Sequence, residues 1–159
     1  MGMLPLVASG LMKNSVAHAC DLLARFTVGF MFATSGWGKI KNLDNFVSDF
    51  SQWRIPAADV AAPFTAWTEL IAGTLLIVGL LTRIAAIFLS FAMLGALVTV
   101  VAPPIIAEAA TVVDIGSNLF YTPEWLLLLV LIPFALFGAR PWSADHMVAN
   151  YSRKLLSKS

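Results

Sequence analysis

IAAIFLSFAMLGALVTVVA, residues 84–102, runs for nineteen residues without a charge. As a helix rising about 1.5 Å per residue it nearly matches the roughly 30 Å hydrocarbon thickness of a bilayer. Outward from it, three more stretches approach that length, at about 19–40, 57–81 and 123–139. The sequence therefore predicts an all-α fold: an integral membrane four-helix bundle over residues 18–145, with a short interfacial helix between spans 1 and 2. Residues 1–17, broken by Pro5, Gly10 and Lys13, read as a loose N-terminal segment, and 146–159 as a polar cytoplasmic tail.

Composition agrees with that solvent. The chain has 159 residues, 59% hydrophobic and 12% charged, where soluble domains carry about 25% charged residues. Its mean hydropathy is +0.84. It is too short for two ordinary domains. A formal net charge of +1 gives no reason to expect nucleic acid or another polyanion as a partner. Cys20 is the only cysteine, which excludes an internal disulfide, a CxxC redox pair and a thiolate metal cluster. The AHAC preceding Asp21 has the outline of a lipoprotein cleavage site, but Lys13, Asn14 and Ser15 break the apolar stretch such a signal needs.

The polar punctuation sets the spans. Only thirteen residues separate Arg25 from Lys39, too few to cross, so at least one of these charges sits within the membrane boundary. Asp21 lies one turn before Arg25, the spacing of an ion pair. In LDNFVSDFSQWRIP, residues 43–56, the positions Leu43, Phe46, Val47, Phe50 and Trp53 fall at helical spacing with polar residues opposite. That pattern suits an interfacial helix ended by Pro56, or equally an amphipathic loop packed on the bundle. GLLTR at 79–83 joins the second and third spans as a tight antiparallel hairpin. Residues 103–122 read as a loop. Thr122-Pro123-Glu124 is a helix start, with a capping hydroxyl, a first-turn proline and an acid at the positive helix end.

Basic residues set the orientation. With both termini in the cytoplasm, the inner face holds Lys13, Arg25, Arg83, Arg140, Arg153, Lys154 and Lys158, against Lys39, Lys41 and Arg54 outside. Trp37, Trp53, Phe120, Tyr121 and Trp125 then form an outer aromatic belt, with Trp142 at the inner surface. The expected location is a bacterial-type inner membrane, crossed several times.

Together, LLARFTVGFMFATSGWGKI at 22–40, Phe46, IP at 55–56, TELIAGTLLIVGLLTRIAA at 68–86, Met93, PEW at 123–125 and GARPWSAD at 138–145 resemble the DoxX family of small four-span membrane proteins. The ordered set Arg25, Gly29, Gly36, Lys39, Glu69, Gly73, Gly79, Thr82, Arg83 and Asp145 carries the likeness as a whole. Related proteins are described as the membrane subunit of thiosulfate:quinone oxidoreductase, and as the membrane member of an oxidative-stress complex with superoxide dismutase and a sulfurtransferase. The resemblance thus implies a membrane subunit of a redox complex, with quinone as the candidate cofactor and other protein subunits and lipid as partners. The alternative is a non-catalytic anchor that stabilises a larger membrane complex.

Glu69 is the candidate catalytic residue. A carboxylate half way along a span costs about 2.5–3.5 kcal/mol on insertion scales and belongs in the bundle interior, protonated or paired with a cation. Arg25 and Lys39 are its candidate partners. Glu69 either accepts a proton or hydrogen-bonds a quinone head group, with Trp67 or Trp37 beside the ring, or it is an ion pair that locks helix packing. Long basic chains near span ends ordinarily snorkel to the headgroups, the competing reading for Arg25 and Lys39. Gly29, Ala33, Gly36, Gly73, Gly79, Ala92, Gly95 and Ala96 are spaced for close helix contact. His18 and His146 flank the first and last spans, outside any apolar pocket pattern, so no haem is expected. No metal site is expected either.

Overall fold

A computed structural model describes the backbone of residues 4–139 and 143–145, and the side chains of 15–139 and 143–145. Arg140, Trp142, His146 and the predicted tail lie outside the described residues.

The first helix, α1, runs over Leu4–Lys41. The segment expected to be loose is therefore helical from Leu4. Pro5 falls in the first turn, where a missing N–H breaks no intrahelical bond, and Gly10 costs only about 1 kcal/mol. After Asn42, α2 (Leu43–Gln52) realises the helical one of the two readings of that stretch, burying Phe46 and Phe50 against Ala62 and Ala66. The second long helix, α3 (Ala58–Val78), is closed by Gly79 at φ 71, whose amide donates to Leu75. Glycine adopts this left-handed conformation without the Cβ penalty.

The hairpin then turns directly into α4 (Thr82–Ala96). Leu81 stands at φ 50 and cannot cap by side chain. The cap comes from far along the chain: Asp145 accepts from the amides of Leu81 at 2.7 Å and Thr82 at 3.0 Å. Its own amide donates to the Gly79 carbonyl. A carboxylate at an exposed helix start is worth about 0.5–2 kcal/mol.

The loop expected over 103–122 is mostly helical. A π-helical turn at Leu97–Val101 leads α4 into α5 (Ala102–Glu108), giving an unbroken apolar helix over Thr82–Glu108. Pro103 and Pro104 remove two amide donors, and their rings would crowd carbonyls one turn earlier. The wider turn, with Ala102 N–H reaching back five residues to Leu97, accommodates them. Then α6 (Val112–Phe120) starts from a capping box in which Thr111 and Asp114 satisfy each other's amides. The predicted Thr122 cap starts α7 (Pro123–Phe137). α6 and α7 meet at a 64° bend.

Packing proceeds in chain order, α1 on α3, α3 on α4 and α4 on α7, around a core that includes Phe32, Leu76, Leu89 and Leu131. α7 returns to the α3–α4 turn, where Arg83 donates to the Phe137 carbonyl. Among the described residues α1, α3 and the α4–α5 helix are each long and apolar enough to cross a bilayer, and α6 with α7 makes a fourth, bent crossing if the pair counts as one span. Phe26, Phe30, Phe64, Ile71, Phe91, Val98 and Phe137 face outward. So apolar an exterior needs lipid around it, and the molecule is an all-α membrane bundle.

Candidate functional site

Two close helix approaches bring the charged residues together. A Cβ at Gly29 would lie 2.7 Å from the Gly73 carbonyl oxygen, and one at Gly36 would lie 2.5 Å from the Leu70 amide nitrogen and 2.7 Å from the Ala66 oxygen. Only glycine lets the α1 backbone rest on α3 at these levels. Glu69 sits beside the second approach, and Ser35 and Lys39, one turn apart on α1, share the face presented to it.

Both carboxylate oxygens of Glu69 are engaged. Lys39 Nζ stands 2.5 Å from Oε1, and Ser35 Oγ donates to Oε2 at 3.0 Å. Glu69 is 2% exposed, whereas the Lys39 side chain is 28% exposed. The ammonium also lies 5.0 Å from the centre of the Phe46 ring, whose face attracts a cation. α2 thus covers the pair from one end with an edge-to-face Phe46–Phe50 contact, and Trp53 follows at 5.7 Å from Phe50.

Beside the pair lies a cavity of about 470 Å³ between α2, α3, α4 and the start of α7, within the range of about 300–1,000 Å³ usual for small-molecule sites. Its walls are mainly apolar and aromatic, including Phe50, Trp53, Phe88 and Met93; Lys39, Glu69 and Glu124 are its ionisable groups. An apolar chamber with a few convergent polar groups favours a ligand that is mostly apolar and has hydrogen-bonding atoms at one place.

Of the expected site residues, Glu69 and Lys39 meet here and the others do not. Arg25 is fully buried rather than snorkelled, its Nε 3.0 Å from Asp21 Oδ2. It lies against the α3–α4 turn, where a Cβ on Gly79 would come within 2.1 Å of its Nη1. Fourteen residues before Lys39 on one helix, it is about 21 Å away along the axis and serves the opposite end of the bundle. Trp37 and Trp67 are each 50% exposed and border no part of the cavity. Each is two residues from a site residue, Trp37 from Ser35 and Lys39 and Trp67 from Glu69, and positions two apart on a helix point to different faces. Trp37 instead lies under the Lys41 ammonium.

Phe50, Trp53 and Glu124 border the cavity and were read from sequence only as interfacial, belt and helix-start residues. The signal for the first two was present: Phe46, Phe50 and Trp53 form the apolar stripe of α2. Nothing local in the sequence places Glu124 at this cavity.

The arrangement defines a class: a small membrane bundle in which a lysine pairs with a buried glutamate on the wall of an apolar chamber. The chain belongs to the DoxX family, whose model matches residues 20–102. It is 30% identical over 128 residues, 80% of this chain and 85% of the relative, to a Bacillus subtilis (strain 168) protein named "Putative oxidoreductase CatD". It is 39% identical over 75 residues, 46% of each chain, to "Uncharacterized membrane protein Rv3486" of Mycobacterium tuberculosis (strain ATCC 25618 / H37Rv). No solved structure matches it.

Proposed function

We propose that this chain is a membrane subunit of a redox complex and that it holds a quinone head group beside Lys39 and Glu69. The observation that carries the reading is a carboxylate 2% exposed, tied to a cation and a hydroxyl, at the end of an aromatic-walled cavity. The donor set suits a quinone. Lys39 donates hydrogen bonds to a carbonyl oxygen, and Glu69 accepts one from a hydroxyl or receives its proton. Ser35 holds the carboxylate, and Phe50 and Trp53 supply flat apolar walls. A bound quinone supplies a carrier of two electrons and two protons. We assign the other half of the redox couple to a partner subunit; with Cys20 as its only cysteine, this chain has no cysteine ligand set for an iron–sulfur cluster. The name of the Bacillus subtilis relative is in keeping with such a role.

The location that goes with this role is a bacterial-type inner membrane, with both termini in the cytoplasm as the basic residues distribute. Purification in mild detergent followed by solvent extraction tests the function: stoichiometric quinone is expected. A partner protein retained with no lipid-soluble cofactor contradicts it and favours the second reading, a non-catalytic anchor. That reading has its own observation, since Glu69 joins α3 to α1 through Lys39 and Ser35.

A further inference from the structure

Among the helix-interior glycines, Gly95 has no packing reason to be glycine. Gly29, Gly36 and Gly73 each stand where a Cβ would run into the neighbouring backbone, whereas a Cβ on Gly95 would meet nothing within 4 Å. A glycine inside a helix is less favourable than alanine, and no helix contact at Gly95 offsets that. Gly38 also faces open space but borders no cavity; Gly95 borders the chamber of the Lys39–Glu69 pair.

Its neighbours make a strip. Phe91 and Gly95 on α4 and Thr99 on the π-helical turn that continues it lie at four-residue spacing, and all three line the cavity. Phe64 lines it from α3. Phe64 and Phe91 are exposed on the outward, apolar side of the bundle, and Gly95 and Thr99 are exposed with them. At this level the chamber opens sideways, toward lipid. The end of the chamber near the tip of α1 is covered by α2, whose Phe46 and Phe50 are buried. A ligand approaching from water meets that cover, while one already in the bilayer meets a gap floored by a residue with no side chain.

We propose that the pair's ligand enters laterally from the bilayer and lies with an apolar chain across Gly95, so that this position selects for tailed amphiphiles over tailless, water-soluble molecules of the same head group. The inference rests on the reading of Lys39 and Glu69 as a quinone head-group site and adds to it the tail, the route and the residue that admits them. A side chain at 95 starts into open space, since its Cβ would meet nothing within 4 Å, and a leucine there stands where the chain would pass. Extra methylenes forced against the bound chain are expected to weaken its binding about tenfold, about 1.4 kcal/mol.

The full-length protein in lipid nanodiscs, wild type and Gly95→Leu, is titrated with decyl-tailed 2,3-dimethoxy-5-methyl-1,4-benzoquinone and with the tailless ring, reading tryptophan fluorescence quenching. The variant is expected to bind the tailed probe about tenfold more weakly, to bind the tailless ring as the wild type does, and to melt no lower than the wild type. Unchanged binding of the tailed probe by Gly95→Leu overturns the lateral route while leaving the head-group site standing. An equal loss for both probes also overturns it, since the leucine would then be acting on the head-group site and not on the tail. Failure of the wild type to bind either probe overturns the head-group reading itself, and the inference with it.

Discussion

Gly36 and Gly38 are two residues apart and differ in everything that surrounds them. At Gly36 an added Cβ meets Leu70 and Ala66 backbone atoms at 2.5 and 2.7 Å; at Gly38 it meets nothing within 4 Å. Gly36→Ala is therefore expected to push α1 from α3 and to destabilise the protein by about 1–3 kcal/mol, read as a lower melting temperature in detergent. Gly38→Ala should leave the melting temperature level or slightly raised. Equal shifts in the two would contradict the close approach. Gly29, Gly36 and Gly73 were legible in the sequence as small residues spaced for close helix contact, but Gly95, read the same way, makes none. Glu69 was legible as a charge too costly to leave in lipid. Its choice of Lys39 over Arg25 was not: it depends on the height at which Gly36 docks on α3, a tertiary fact, and on Asp21 already engaging Arg25.

At the scale of elements, three apolar spans followed from length and hydropathy alone, a fourth only where α6 and α7 count as one bent crossing, and the Thr122-Pro123 start of α7 followed from capping chemistry. The stretch read as a loop was misjudged where two prolines were taken as a terminator. A proline stops a helix only if the preceding turn cannot relax, and here the turn over Leu97–Val101 widens to a π-helical register and the helix continues to Glu108. That widened turn also lends Thr99, Val100 and Val101 to the cavity wall. α2 was legible as an amphipathic stripe, but which surface the stripe would cover was not, because periodicity gives a face and not its partner. The Asp145 cap on α4 was hidden for the related reason that it joins residues 63 and 64 apart in sequence.

At the scale of the molecule, α1, α3, α4 and α7 run alternately up and down, and α7 brings the chain back to the α3–α4 turn. The distribution of basic residues along the sequence leads us to propose that both termini lie in the cytoplasm. Alkaline phosphatase fused to either terminus should be inactive and a fluorescent protein bright; phosphatase activity at one terminus alone would mean an odd number of crossings. The central claim concerns the Lys39–Glu69 pair, which the fold either keeps for packing or exposes to a ligand. Replacing both residues together separates these roles, because a buried ion pair exchanged for apolar side chains of similar volume is often neutral or stabilising by about 1–4 kcal/mol, whereas removing one partner costs about 3–5 kcal/mol. The decisive measurement is the quinone extracted from purified Lys39→Met/Glu69→Leu protein beside the wild type. A folded double variant with a melting temperature at or above that of the wild type and no bound quinone is the predicted result; a double variant that keeps its quinone would contradict the account.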